Sequence, residues 1–300
     1  MPRRHLALIA TPLALALGLS ACSSTTSGNA NAAGENPSSA TTVPAPQASS
    51  PVNSALAESS TTVAPTTAAP TTTLQPIVSV PSNVETVGEF PGEIRAVGSS
   101  SGPATQIIQL RLEQLGFWTG AHDGKYTFPT TQAVMAFQKY IGLKRTGKVD
   151  TTTAAYLKSI GERSRGSSNT GTLVEVDKTK QLAFIVQDGK TVWTFNTSTG
   201  SGIPYEAVNK KDPTKIETGD AITPNGLFRV NRERPDGWWD GDLGQIYRPK
   251  YFKGGIAIHG MTSVPGYPAS HGCVRLSTMA MDFIWDSGLV PVGTPVWVHE

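Results

Sequence analysis

Cysteine is nearly missing from this 300-residue chain, which has only Cys22 and Cys273. A disulfide-stapled framework is therefore excluded. There is no C-x-x-C and no H-x-x-x-H. A zinc site has only His259, His271 and Cys273 to draw on, in no recognisable ligand spacing. Charge is sparse as well: 16% of residues are charged and the formal net charge is +2. That is too mild for a nucleic-acid partner. No Lys or Arg occurs between Cys22 and Arg95, and only 38% of the chain is hydrophobic. Part of its length is therefore expected to build no core. The one long apolar run, Leu6 to Leu19, is too short for a spanning helix.

That run follows Arg3 and Arg4 and ends in "LSAC". A basic start, an apolar stretch and small residues make an export signal, residues 1–21. The ending closely resembles a bacterial lipobox. The resemblance implies that Cys22 becomes an acylated N-terminus, anchored to the outer face of the cytoplasmic membrane, or to an outer membrane where the cell has one. Cys273 then has no partner within the chain. Residues 22–100 are rich in Ser, Thr, Ala and Pro. They have too little apolar surface to offset chain entropy and read as a disordered linker. Its reach is about 45–50 Å. Within it, "PIVSVPSNVETVGEF" is less polar and is a candidate for local packing.

Residues 101–161 turn helical. Ile108, Leu112 and Leu115 share one face, and Gly116 ends the segment. A second helix is expected from Thr130 as N-cap, with Val134, Phe137 and Ile141 on its apolar side. Asp150 caps a third, carrying Ala154 and Leu157. This three-helix bundle resembles the bacterial peptidoglycan-binding domain. The match rests on Leu112 to Phe117, Asp123–Gly124, Thr130, Ala133–Val134, Phe137–Gln138, Leu143, Gly147, Thr153 and Leu157. Thr127 departs from it, standing where that family usually has Gly. Peptidoglycan glycan is the partner so implied.

Residues 162–171, "ERSRGSSNTG", read as a second linker. From 172 to 300 the period becomes two. "TLVEVD", "QLAFIVQ", "TVWTFNTST", "GLFRVN", "GIAIHG" and "TPVWVHE" read as strands. One helix is expected from Ser277 as N-cap to about Asp286, with Gly288 beyond it. The expected fold class is multidomain: a disordered N-terminal linker, a small three-helix bundle, then a mostly-β, β-sandwich-like domain with one main helix.

Cys273 lies in "YPASHGCVRL". From spacing alone it is a buried small hydrophobe, a metal ligand or a nucleophile. A nucleophilic thiol needs a base within hydrogen-bond reach. In a strand over "GGIAIH", Ala257 and His259 face one side, away from Ile256 and Ile258. Gly272 permits a bend between His271 and Cys273, and the amides of Gly272 and Cys273 are candidate oxyanion donors.

The stretch "IHGMTSVPGYPASHGCVRL" resembles the signature of the L,D-transpeptidase catalytic domain, the YkuD-like family. His259–Gly260 and Ser270 to Arg275 match it position by position, and "TPNGLF" (223–228) matches an upstream turn. The resemblance implies Cys273 as nucleophile and His259 as general base, oriented by the Gly260 carbonyl. His271 polarises the site. Arg275 binds a substrate carboxylate or braces the loop. Ser270 is grouped with the substrate-facing residues and is expected to brace the loop by hydrogen bonding. Trp238, Trp239 and Tyr247 line a groove for a peptide stem or pack at a strand end. The implied reaction is cysteine-dependent acyl transfer that releases D-Ala and forms 3→3 cross-links between peptidoglycan stem peptides, without cofactor or metal. L,D-carboxypeptidase action on the same stems and a silent wall-tethering role are the alternatives. The loop 203–221 is a lid or an insertion.

Overall fold

The computed structural model describes residues 84–300, all within a single unit, Thr73–Glu300. The signal peptide, the lipidation site Cys22 and the linker up to residue 83 lie outside the described residues. Three helices come first: α1 (Pro103–Gln114), α2 (Phe128–Tyr140) and α3 (Thr151–Ser159). Asp150 caps α3, its carboxylate accepting from the Thr153 N–H at 2.7 Å. The second helix starts earlier than its sequence suggests. Thr127 is its extended N-cap residue and Pro129 sits in its first turn, where a missing N–H costs nothing. Thr130 is thereby inside the helix and buried. Thr127 takes up the position without needing glycine's backbone freedom.

The rest is mostly strand: β1 (Leu173–Asp177), β2 (Leu182–Gln187), β3 (Lys190–Asn196), β4 (Tyr205–Val208), β5 (Ile216–Gly219), β6 (Gly226–Arg229), β7 (Arg232–Glu233), β8 (Trp238–Gly241), β9 (Gly244–Lys253), β10 (Ile256–Met261), β11 (Val274–Ser277) and β12 (Pro295–His299). Helix α4 (Thr278–Asp286) follows β11, with the Ser277 hydroxyl accepting from the Ala280 N–H. One sheet runs β3-β2-β1-β12-β6 and a second β11-β10-β9-β7, with β8 also on β9. A shared core of Val174, Val176, Ile185, Phe252, Ile258, Val274 and Leu276 joins the sheets in a sandwich, and α4 adds Met281 and Ile284 to it.

The longest strand, β9, escapes the alternation pattern because Pro249 and the left-handed Arg248 (φ 45°) interrupt it. Strand β2, "LAFIVQ", shows the opposite departure: it is apolar almost throughout. Ala183 and Ile185 face the sandwich core, whereas Leu182, Phe184 and Val186 join the helical core with Ile108, Leu112, Val134 and Phe137. A strand covered on both faces has no reason to alternate.

Two expected linkers are corrected by this packing. Residues 84–100 are not free chain. Ile94 is buried, Phe90 and Val97 pack on the helical core, and Gly98 pairs with Val149. The buried Arg111 fastens the segment, donating to the Gly88 carbonyl at 2.9 Å and to the Leu157 carbonyl at 2.8 Å. Residues 162–171 are likewise pinned. Ser164 meets Thr194 at 2.8 Å, and the Ser167 and Ser168 N–H groups donate to the buried Glu175 carboxylate at 2.7 and 2.8 Å. Composition predicted freedom, but apolar contacts and paired amides supply order.

The interface between α2 and the first sheet holds a buried amine. Lys139 Nζ donates to the Gln181 and Thr197 carbonyls at 2.8 and 2.9 Å. Burial, and then the Arg145 charge, bring its pKa down to about 6. An unfolded lysine titrates near about 10.4. Between these values the unfolded chain binds more protons, so stability rises with pH across the window and is lost as pH falls towards 6. Urea unfolding of Lys139→Met is therefore expected to show a gain between pH 6 and 8 that is smaller than the wild type's by on the order of 1–2 kcal/mol. Equal gains in both proteins would contradict a neutral buried amine.

Candidate active site

Strands β10 and β11 run parallel, with Ile258 opposite Val274 and His259 opposite Arg275. Ile258 and Val274 point into the core. Alternation then puts Ala257, His259, Cys273 and Arg275 on the other face. His259, Cys273 and Arg275 all line one cleft of about 740 Å³. His271 and Trp239 line the same cleft.

His259 is only 2% exposed. Its Nδ1 lies 3.0 Å from the Gly260 carbonyl oxygen. A carbonyl can only accept, so Nδ1 carries the proton and Nε2 keeps its lone pair. Burial drives the imidazole's pKa down to about 4, against the raising effect of that hydrogen bond. The ring is neutral at ordinary pH. The Cys273 sulfur accepts from the Ala257 N–H at 3.4 Å. Burial raises its thiol pKa, while the Ala257 N–H and the Arg275 charge act in the opposite sense. The resting pair is thus thiol and neutral imidazole rather than a preformed ion pair.

The loop before Cys273 is held from several sides. The Ser270 hydroxyl donates to the Cys273 carbonyl at 2.6 Å and accepts from the Gly272 N–H at 3.0 Å. Ser270 lines the cleft and spends its hydroxyl on the loop, bracing it as expected. One sequence-based assignment changes here. The Gly272 amide is engaged, so it is not an oxyanion donor, and the Cys273 amide is the remaining backbone candidate. Gly272 has φ +132°, and a Cβ there would sit 3.0 Å from the Ile222 carbonyl oxygen, which accounts for glycine at this position.

Tyr247 moves out of the substrate-facing group. Its hydroxyl donates to Asp282 on α4 at 2.8 Å. Its ring packs so closely on Gly260 that a Cβ there would come within 2.9 Å. Trp238 lies edge-on to that ring at 5.3 Å. Trp239 stays in the cleft with the Arg234 guanidinium 4.5 Å from its ring centre. His271 is exposed, edge-on to Tyr205 at 4.5 Å. Burial and then Arg275 lower its pKa.

Sequence reading missed three contributors. Tyr205 and Glu217 belong to the β4–β5 hairpin inside the 203–221 segment, and both line the cleft. The hairpin's turn meets the β8–β9 turn, where the Lys210 N–H donates to the Asp242 carbonyl at 2.8 Å. The segment therefore roofs the cleft and is not a remote insertion. Thr223 is the third. Its hydroxyl accepts from the Gly200 N–H at 2.8 Å and donates to the Gly272 carbonyl at 2.6 Å. The "TPNGLF" match was its only signal in the sequence.

The profile of the L,D-transpeptidase catalytic domain, YkuD, matches residues 171–298, and that of a peptidoglycan binding domain matches 101–157. A crystal structure of an L,D-transpeptidase from Xylanimonas cellulosilytica is 44% identical, covering 69% of this chain and 98% of its own, with a TM-score of 0.61. The chain belongs to the L,D-transpeptidase family. An L,D-transpeptidase structure from Stackebrandtia nassauensis is 21% identical over 69% of this chain and 96% of its own, with a TM-score of 0.40. No curated protein matches. Peptidoglycan is thus a partner, and the mostly-β domain is that of a transpeptidase enzyme.

Two expectations follow from the site's geometry. By NMR, His259 is expected to stay neutral down to about pH 4. An unfolded imidazole titrates near about 6.5, so the stability this group contributes is present above that value and is lost as pH falls through 4. A His259 midpoint near an ordinary imidazole's would refute its desolvation. Thr223→Val leaves the Gly200 amide unpaired and frees the Gly272 carbonyl. It is expected to cost about 1–3 kcal/mol in urea unfolding.

Proposed function

We propose that this transpeptidase forms 3→3 cross-links through a Cys273 acyl-enzyme. The observation carrying the reading is the His259 tautomer: with Nδ1 bound to the Gly260 carbonyl, Nε2 is the free base in the cleft that Cys273 shares. Cys273 attacks the carbonyl of the diamino acid in a tetrapeptide stem, and His259 Nε2 takes the thiol proton as the C–S bond forms. A neutral imidazole is the form able to do so, and a neutral thiol needs its proton removed during attack. The oxyanion forms beside the Cys273 amide, within reach of the Arg275 charge. The C–N bond then breaks, His259 returns the proton to the departing amine, and D-Ala leaves. An amine of a second stem attacks the thioester, gives its proton to His259 and regenerates the thiol. Exchange of one amide for another needs no external energy source.

Arg275 is half-buried on the cleft wall, and burial lowers its guanidinium pKa. It is suited to a substrate carboxylate. His271, edge-on to Tyr205, helps shape the cleft. Acylation at Cys22 would tether the domain to the membrane while it works in the wall.

Incubation with a carbapenem followed by intact mass measurement is expected to give one covalent adduct, lost in Cys273→Ala. His259→Asn is expected to slow adduct formation by about 10²–10⁴-fold. No adduct in the wild type, or an adduct persisting in Cys273→Ala, would end this reading. Muropeptide analysis with purified tetrapeptide stems separates cross-linking from hydrolysis.

A further inference from the structure

The residues between β10 and β11, 262–273, return the chain for parallel pairing without a helix. They connect His259 to Cys273. Several of their carbonyl oxygens are capped from outside the loop. Arg145, just beyond α2, donates to the Gly266 carbonyl at 2.8 Å. Gln132, on α2, donates to the Val264 carbonyl at 3.3 Å. Asn196 donates to the same carbonyl at 3.3 Å and to the Gln132 side-chain oxygen at 2.6 Å. Ser198 donates to the Tyr267 carbonyl at 2.7 Å.

Two of these four donors belong to the peptidoglycan-binding domain. Its contact with the loop is also steric: a Cβ on Gly266 would lie 3.1 Å from Arg145 Cβ and 3.2 Å from Met135 Sδ. Val264 and Gln132 are both buried in this contact. The same helix reaches the nucleophile's strand by a second route. Lys139 donates to the Thr197 carbonyl, and the Thr197 hydroxyl donates to the Arg275 carbonyl at 2.8 Å.

We propose that Arg145 and Gln132 of the helical domain are positioning residues for the transfer reaction, holding the 262–273 loop so that Cys273 meets the base. The helical domain is then a working part of the catalytic centre, in addition to any hold it has on the wall. The proposal rests on the reading of Cys273 as nucleophile. A loop without internal secondary structure keeps its shape only while its carbonyls stay paired. A displacement of about 1 Å at a reacting atom is enough to cost on the order of 10²-fold in rate.

The test uses the full chain. Arg145 is exposed overall, so its truncation is compatible with folding. Arg145→Ala is expected to lower the limiting rate of Cys273 acylation by a carbapenem by about tenfold or more. The half-saturating concentration is expected to stay within about twofold, since the cleft walls that bind the probe are untouched. Amide hydrogen exchange across 262–272 is expected to quicken in the same variant. Arg145→Lys retains a donor for a single carbonyl and is expected to recover most of both. Gln132→Ala is expected to move rate and exchange in the same direction as Arg145→Ala. Wild-type rates and wild-type exchange in both alanine variants would overturn the proposal, and so would a change in one readout without the other. If the wild-type chain forms no adduct, the nucleophile reading falls, and the exchange measurement alone decides whether the helices hold the loop.

Discussion

The parallel pairing of β10 with β11 is the constraint on which the site depends. Parallel neighbours cannot be joined by a tight turn, and the usual connection is a crossover helix. Here the connection is an irregular loop that ends on Cys273. Pairing puts His259 opposite Arg275 and aims Cys273, His259 and Arg275 at one cleft. It also creates a run of backbone groups with no ladder of their own. Thr199, Ser198, Asn196, Gln132 and Arg145 supply partners for them.

Burial then sets the chemistry. Desolvation moves His259 and Cys273 in opposite directions, and both movements favour the uncharged forms. The Gly260 carbonyl selects the tautomer without adding charge. Both groups are thus held uncharged in the cleft they share. The two-sided burial of β2 has a structural counterpart. By facing both cores, that strand fastens the helical domain to the sheet whose neighbouring segment, 197–201, backs the 262–273 loop.

Much of this was legible before any coordinates. Asp150 and Ser277 were readable as N-caps, and both make the expected backbone contact. Local chemistry is enough there, because a cap satisfies an amide only three residues away. The period-two pattern found β1, β2, β3, β6, β10 and β12. It missed β9, where Pro249 and a left-handed Arg248 break the alternation, and the short β4–β5 hairpin, whose exposed side chains give no apolar signal. Among the site residues, strand parity put His259 on the face opposite Ile256 and Ile258, and the motif resemblance paired it with Cys273. Neither could show that Ser270 consumes the Gly272 amide or that Tyr247 turns to Asp282, because those partners lie in loops and on another element.

The sequence by itself determined the domain types, the lone cysteine of the mostly-β domain, and the face of its strand on which His259 lies. These follow from local spacing, composition and motif, which need no partner distant in the chain. Only the tertiary structure decided which histidine nitrogen is free, that the 203–221 segment roofs the cleft, and that residues 84–100 and 162–171 are fastened rather than loose. Each depends on burial and on hydrogen bonds between residues far apart in the chain. Arg145 and Gly266, 121 positions apart, are the clearest case. No periodicity connects them, and a hydrogen bond ties the α2–α3 connection of one domain to the 262–273 loop of the other.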